Sequence, residues 1–406
     1  MASKARVTFN VLLAALIIEN ILRFPLVTLI NNSFNSTACR SPEFYGINLQ
    51  EHNVTTEDGY ILKIFRVSGR NCVVKKRPPV ILMHGLLQSS DVWFDAGPGA
   101  GLAYLISDAC YDLWLGNQRG NYHAKRHLIL DPDRNPHFWH FSVDEIGFYD
   151  IPATIDYVLK ATGEEKLNYV GYSQGAGTFF IMCSERPGYC DKANVLIGVA
   201  PAARQTHTKS LPYRALTKSV EKLEGTLTNM GINELFARGS FGQQFSSFFC
   251  NLNSITAAVC GGYIGVIDSF HPGSIDVKTL RHLFTHFPDG TSTHNIARYG
   301  QSMSTRFFQK FDYGESKNLK IYGDIKPPKF NLSAVTVPFV NLYGRNDKLV
   351  DPKDISWLLK QLPNVLEDVE VSDPSWNHID VAYSQLSKKL IYPKIDEYLS
   401  KYSDVM

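Results

Sequence analysis

Short apolar strands alternating with helices predict an α/β protein for this 406-residue chain, with a mainly parallel central sheet, helices on both faces and an inserted helical cap. Three observations carry this expectation. The apolar runs are short and unbroken, as in strands covered on both sides. Helix-like segments lie between several of them. From about Arg204 to Pro328 the alternation stops, and the chain becomes aromatic and helix-rich without convincing strands.

Taken in order, Lys4 and Arg6 precede the apolar stretch Val7 to Ile18, broken only by Asn10, which is the layout of a secretory signal peptide over residues 1–20. Glu19, Asn20 and Arg23 stop the run short of the ~20 apolar residues that a membrane span needs. Phe24 to Ile30 is apolar again, so a retained anchor is the alternative. After a polar stretch, strands are expected at Tyr60 to Val67, Pro79 to Met83, Tyr111 to Leu115, Leu167 to Val170, Val195 to Val199, Val335 to Tyr343 and Val365 to Val371. Helices are expected at Ala103 to Ala109, Ile151 to Lys160 and Ile355 to Leu362. The chain thus divides into a core of residues 40–203 and 329–402 and a cap of residues 204–328. The cap is expected over the sheet's C-terminal edge, where ligands of open α/β sheets bind.

A formal charge of +2 and the lack of any long basic tract exclude nucleic acid as a natural partner. No obligate protein partner is indicated. No Cys/His cluster has zinc spacing, so no metal is expected. Seven cysteines in an exported chain leave at least one unpaired. The expected bridge joins Cys250 to Cys260, which share one short apolar, glycine-bearing segment; buried thiols are the alternative. Export also fits the Asn-x-Ser/Thr triplets at Asn31, Asn35, Asn53 and Asn331, each a candidate glycan site.

The chemistry is signalled by Gly171-Tyr172-Ser173-Gln174-Gly175, directly behind the run Leu167 to Val170. Glycines flanking a serine at this spacing let a strand turn sharply into a helix, lifting the hydroxyl into reach of an acyl carbon. Serine needs a base, and the base needs an acid to hold its tautomer. In the α/β-hydrolase arrangement these follow in the order serine, acid, histidine. Asp347 lies just past the run ending at Tyr343 and is the expected acid. Asp351, which directly precedes Pro352 and suits a helix cap, is the reserve. The base is better constrained, because His378 is the single histidine after His294. Asp373 and Asp380 are expected to be solvated or capping, and His123, His127, His137 and His140 to be structural. The oxyanion requires two backbone N–H donors. Gln174, after the nucleophile, supplies one, and Leu86, in the turn Met83 to Leu87, the other.

These residues resemble the acid lipases, the family that includes gastric and lysosomal acid lipases. The resemblance rests on His84 to Leu87 (HGLL), Asp112 to Asn121 (DLWLGNQRGN), Phe138 to Leu159 (FWHFSVDEIGFYDIPATIDYVL), the GYSQG elbow, Phe311 to Gly314 (FDYG) and Asn377, His378 and Asp380. It implies an α/β-hydrolase core with a helical cap, hydrolysis of triacylglycerols or sterol esters at a lipid–water interface, and no cofactor. It also implies a triad of Ser173, Asp347 and His378, oxyanion donors at Leu86 and Gln174, and a cap disulfide between Cys250 and Cys260. Departures are mild: Tyr172 stands where many members have histidine, Ile47 to Leu49 replace a Gly-Tyr-Pro-like turn, and Ile296 to Tyr299 replace a stretch that often carries a His-Gln pair. Phe236, Phe241, Phe245, Phe248 and Phe249 either serve an acyl cleft or lid, or form the cap's own core. Two rival readings are a non-catalytic lipid carrier on the same scaffold and an exported esterase for small soluble esters, or even a peptidase, that shares triad and fold.

Overall fold

A computed structural model describes residues 47–69, 72 and 77–403. The signal segment 1–20, the sequons at Asn31 and Asn35, and Cys39 lie outside the described residues. Asn53 and Asn331 are within them, and both are exposed.

The sheet has eight strands in the order β1-β2-β4-β3-β5-β6-β9-β10. These are β1 (Asn48–Thr55), β2 (Ile61–Ser68), β3 (Val80–Met83), β4 (Leu113–Leu115), β5 (Leu167–Tyr172), β6 (Ala193–Val199), β9 (Phe339–Tyr343) and β10 (Val365–Glu370). From β4 to β10 every pairing is parallel; β1 and β2 add an antiparallel edge. The two-residue period of a strand is visible in the cores it feeds. Val80 and Leu82 pack on one face with Tyr104 of α1 (Leu102–Asp108) and Ile395 of α11 (Tyr392–Lys401). Ile81 and Met83 pack on the other with Ile155 of α2 (Ile151–Thr162), Phe179 of α3 (Gln174–Glu185) and Leu358 of α10 (Pro352–Leu359). The α/β class expected from the sequence is therefore the class observed.

Three local differences have physical reasons. The strand expected from Val335 begins only at Phe339, because Pro338 has no N–H to give to a ladder; Val335 and Val337 are buried nonetheless. The polar β1 was not anticipated, since as an edge strand most of its side chains face water. Third, the stretch read as strand-free holds a minimal antiparallel pair, β7 (Glu234–Leu235) with β8 (Thr291–Ser292), too short to leave a period.

Between β6 and β9 run α4 (Leu211–Asn229), α5 (Phe241–Asn251), α6 (Ser254–Ile267), α7 (Val277–His286), α8 (Thr293–Ser302) and α9 (Glu315–Tyr322). Helices α4 and α8 share a small core of Val220, Leu227, Ile296 and Ala297. Cys250 and Cys260 are bonded, tying α5 to α6. Two further disulfides, Cys72–Cys110 and Cys183–Cys190, join cysteines that sequence reasoning did not pair.

Candidate active site

Ser173 sits between β5 and α3 with φ +53°, a left-handed backbone that a serine adopts only under constraint. Its flanking glycines show the constraint. A Cβ on Gly171 would lie 2.7 Å from the Ala176 nitrogen, and one on Gly175 2.5 Å from the Met83 carbonyl oxygen. The Ser173 N–H donates to Val199 O at 3.0 Å, fixing the turn to the neighbouring strand. Only 6 % of Ser173 is exposed.

Ser173 Oγ lies 2.9 Å from His378 Nε2, and His378 Nδ1 lies 2.7 Å from Asp347 Oδ2. Asp347 follows β9, and its Oδ1 accepts from the backbone N–H groups of Leu349 (2.9 Å) and Val350 (2.7 Å), so the carboxylate is held from both ends. Burial opposes a charge on His378, but the adjoining Asp347 carboxylate outweighs it and raises the imidazole's pKa above the ordinary value. Asp351 is elsewhere employed: it caps α10 through the Lys353 N–H at 2.9 Å and pairs with Lys209 at 2.6 Å. Asp380 is buried rather than solvated, and it accepts from the Asn377 N–H and contacts His271 and Ser274.

The loop after β3 brings Leu86 beside the elbow. A Cβ on Gly85 would approach the Ser173 Cβ to 3.2 Å. Gln88 Oε1 accepts the Gly85 N–H at 3.0 Å, and Leu87 O accepts from Asp289 N at 2.9 Å. His84 donates from Nδ1 to Gly85 O at 2.8 Å, while its Nε2 accepts from Gln118 N and Asn121 Nδ2. Burial pulls its pKa down to about 4, so it is a neutral brace for the loop. Among the described residues neither the Leu86 nor the Gln174 N–H has a protein acceptor, leaving both available to an oxyanion.

Several contributors escaped sequence reasoning. Asp268, at the end of α6, accepts from Lys348 N (2.9 Å) and Ile379 N (3.1 Å), the residues following Asp347 and His378. One carboxylate of the insertion thereby laces the acid's loop to the base's. Burial, and then the like charge of Asp347, push its pKa up to about 7. Next to it, Ser269 donates to Asn346 O and accepts on its carbonyl from Asn377 Nδ2. Tyr172, one of the departures, donates to His378 O at 2.9 Å. Lastly, Gln174 Oε1 accepts from Tyr299 Oη (2.9 Å) and Asn295 Nδ2 (3.1 Å), which couples the elbow to α8. Only Tyr172 and Tyr299 carried any signal, each standing where the chain differs from the family pattern. Among the described residues one group has metal-ligand chemistry, Asp95 with His282 and His286, and it lies outside this constellation.

A strand-borne serine, a histidine and a carboxylate on this sheet define a serine hydrolase of the α/β-hydrolase fold. Comparison with known families agrees. The α/β hydrolase fold model matches residues 78–224, and the model of a partial α/β-hydrolase lipase region matches residues 42–97. Lipase 1 of Drosophila melanogaster is 38% identical over 358 residues, covering 88% of this chain and 78% of that protein. Gastric triacylglycerol lipase of Bos taurus is 35% identical over 87% of this chain and 88% of its own length, and human lipase member K 33% over 91% and 93%. The chain belongs to the acid lipase family. A soluble variant of monoglyceride lipase from Saccharomyces cerevisiae, 14% identical, shares the fold with a TM-score of 0.54 over 88% of this chain and 96% of that one.

Proposed function

We propose that this protein is a lipase of the secretory pathway, secreted or lysosomal, that hydrolyses triacylglycerols or sterol esters through an acyl-enzyme on Ser173. Ser173 Oγ attacks the ester carbonyl as His378 Nε2 takes its proton, and Asp347 holds the Nδ1–H and stabilises the imidazolium. The Leu86 and Gln174 N–H groups receive the oxyanion. As the tetrahedral intermediate collapses, His378 protonates the departing alcohol; a water activated by His378 then attacks the acyl-enzyme, releasing the fatty acid and regenerating Ser173. Three disulfides suit an oxidising compartment. No helix among the described residues is long and apolar enough to cross a membrane.

The observation that favours a lipid substrate is the outer face of the α5–α6 hairpin. Phe241, Phe245, Phe248 and Leu252 form one exposed stripe, and Ile255, Val259, Tyr263 and Val266 a second. There is no charged residue from Phe241 to Ile267. Phe249 and Phe236 instead pack inward against neighbouring apolar clusters, so the phenylalanines divide between surface and core. An exposed apolar face of this kind suits a lipid–water interface. With Ser173 almost covered, an acyl chain reaches it by displacement of part of the insertion. Initial rates on an ester series of increasing acyl length, soluble and emulsified, test the reading. A lipase favours long emulsified esters, an esterase for small substrates favours short soluble ones, and a carrier hydrolyses none.

A further inference from the structure

Asp95 ends a short helical turn, Val92–Asp95, that follows the Leu86 loop, and α7 packs against that turn. Helix α7 carries His282 and His286 one turn apart, so both rings leave the same face. His286 Nδ1 lies 3.0 Å and His282 Nε2 3.6 Å from Asp95 Oδ1. One donor atom from each of the three residues lies within 4.8 Å of the other two.

Two independent features make this more than a pair of buried His–Asp contacts. Asp95 Oδ2 is buried without a hydrogen-bond partner among the described residues, a costly position for a carboxylate oxygen. Nor does a lysine or arginine compensate it. Arg238, nearby, is committed to Asp91 at 2.7 Å, and within 4.0 Å the charged partners of Asp95 among the described residues are the two imidazoles. Two histidine nitrogens and a carboxylate are a donor set for a tetrahedral transition metal with water in the fourth position. Metal–nitrogen bonds of that kind space their ligand atoms about 3.3 Å apart, close to the separations seen. The His282 side chain is 31 % exposed while that of Asp95 is buried, so the cluster meets solvent on the His282 side.

We propose that Asp95, His282 and His286 bind a divalent transition-metal ion, zinc by its donor set, as a structural clamp between α7 of the insertion and the segment behind the Leu86 loop. The His-x-x-x-His spacing lies in the sequence, but the third ligand is a carboxylate from a remote part of the chain, which a search for Cys/His clusters passes over.

The test uses the full-length, disulfide-bonded protein stripped with a chelator and titrated with Zn²⁺ by calorimetry. One saturable equivalent is expected, with Tm rising as Zn²⁺ is added and Mg²⁺ failing to compete. Co²⁺ in place of Zn²⁺ should give the intense visible absorption of a four-coordinate ion. His282→Gln, at the rim, should weaken Zn²⁺ binding by more than the roughly 10–100-fold that loss of an outer-shell partner costs, and abolish the Co²⁺ spectrum. The metal-free Tm of this variant should match the parent's, which separates lost ligation from lost folding. His137→Gln, exposed on the core domain, should leave binding unchanged. Absence of a saturable equivalent, or equal affinity in the His282→Gln protein, overturns the proposal.

Discussion

The elbow around Ser173 and the α5–α6 hairpin are both rich in small and apolar residues, yet they use them in opposite ways. At the elbow, Gly85, Gly171 and Gly175 are packed so closely that an added methyl meets backbone or side chain at 2.5–3.2 Å. On the hairpin, Gly262 has open space where a Cβ would stand, and the aromatic and aliphatic side chains face water. The difference teaches where this fold needs accuracy. Donors and a base must be held to fractions of an ångström before a charge develops, whereas a surface that meets lipid needs only area and the absence of charge.

The sharpest break between the regions is Ser173→Ala. Hydrolysis of any ester should fall by about 10⁴- to 10⁶-fold, with little change in Tm, because the lost hydroxyl bonds His378 alone among side chains. Activity surviving near the parent rate on purified protein would remove Ser173 from the mechanism.

Asp268→Asn probes the thread that joins the two regions. Asparagine retains one acceptor oxygen, so one of the bonds to Lys348 N and Ile379 N is lost and the triad loops loosen; kcat should drop about 10- to 100-fold. The pH profile separates positioning from mere destabilisation. An ionised Asp268 favours the imidazolium form of His378 and so raises its pKa. Activity needs the neutral ring, and removing that charge lowers the pKa, moving the acidic limb of kcat/KM to lower pH. The parent gains part of the same benefit below about 7, where Asp268 itself takes up a proton. An acidic limb that stays in place or moves upward contradicts this role.

Phe245→Ser combined with Val259→Ser strips the centre of the exposed stripes. Turnover of emulsified long-chain ester should fall about tenfold, as expected for losing two apolar side chains from a lipid contact, while a short soluble ester is hydrolysed at the parent rate. Equal loss on both substrates would assign the hairpin to the fold and not to the interface.

What the sequence disclosed follows the same division. Strands β3, β5 and β6 were legible because burial on both faces leaves an unbroken apolar run, and the base was legible because His378 has no competitor in its window. The pairing of β1 was hidden by its polar edge. Asp268 carried no local signal, since an aspartate at a helix end is ordinary, and its importance arises only when the insertion folds back onto two distant loops. The Cys72–Cys110 and Cys183–Cys190 bridges were illegible for a related reason: odd numbers of cysteines allow many pairings, and only the fold selects one. Contacts made between the core and its insertion are those that composition and periodicity conceal most thoroughly.

The mildest test uses one methyl group. Gly262 lies inside α6 with no neighbouring atom within 4 Å of a Cβ and an ordinary helical backbone. Alanine there should stabilise by roughly 0.5–1 kcal/mol, by raising helix propensity and restricting the unfolded chain. Thermal unfolding reads this directly, on the protein with the Cys250–Cys260 bond intact, since that bond anchors the middle of α6 close to Gly262. The same substitution at Gly175 would drive a methyl into the Met83 carbonyl. If Gly262→Ala instead lowers Tm, the outer face of α6 is covered in solution, and the claim that this hairpin is left bare for lipid fails with it.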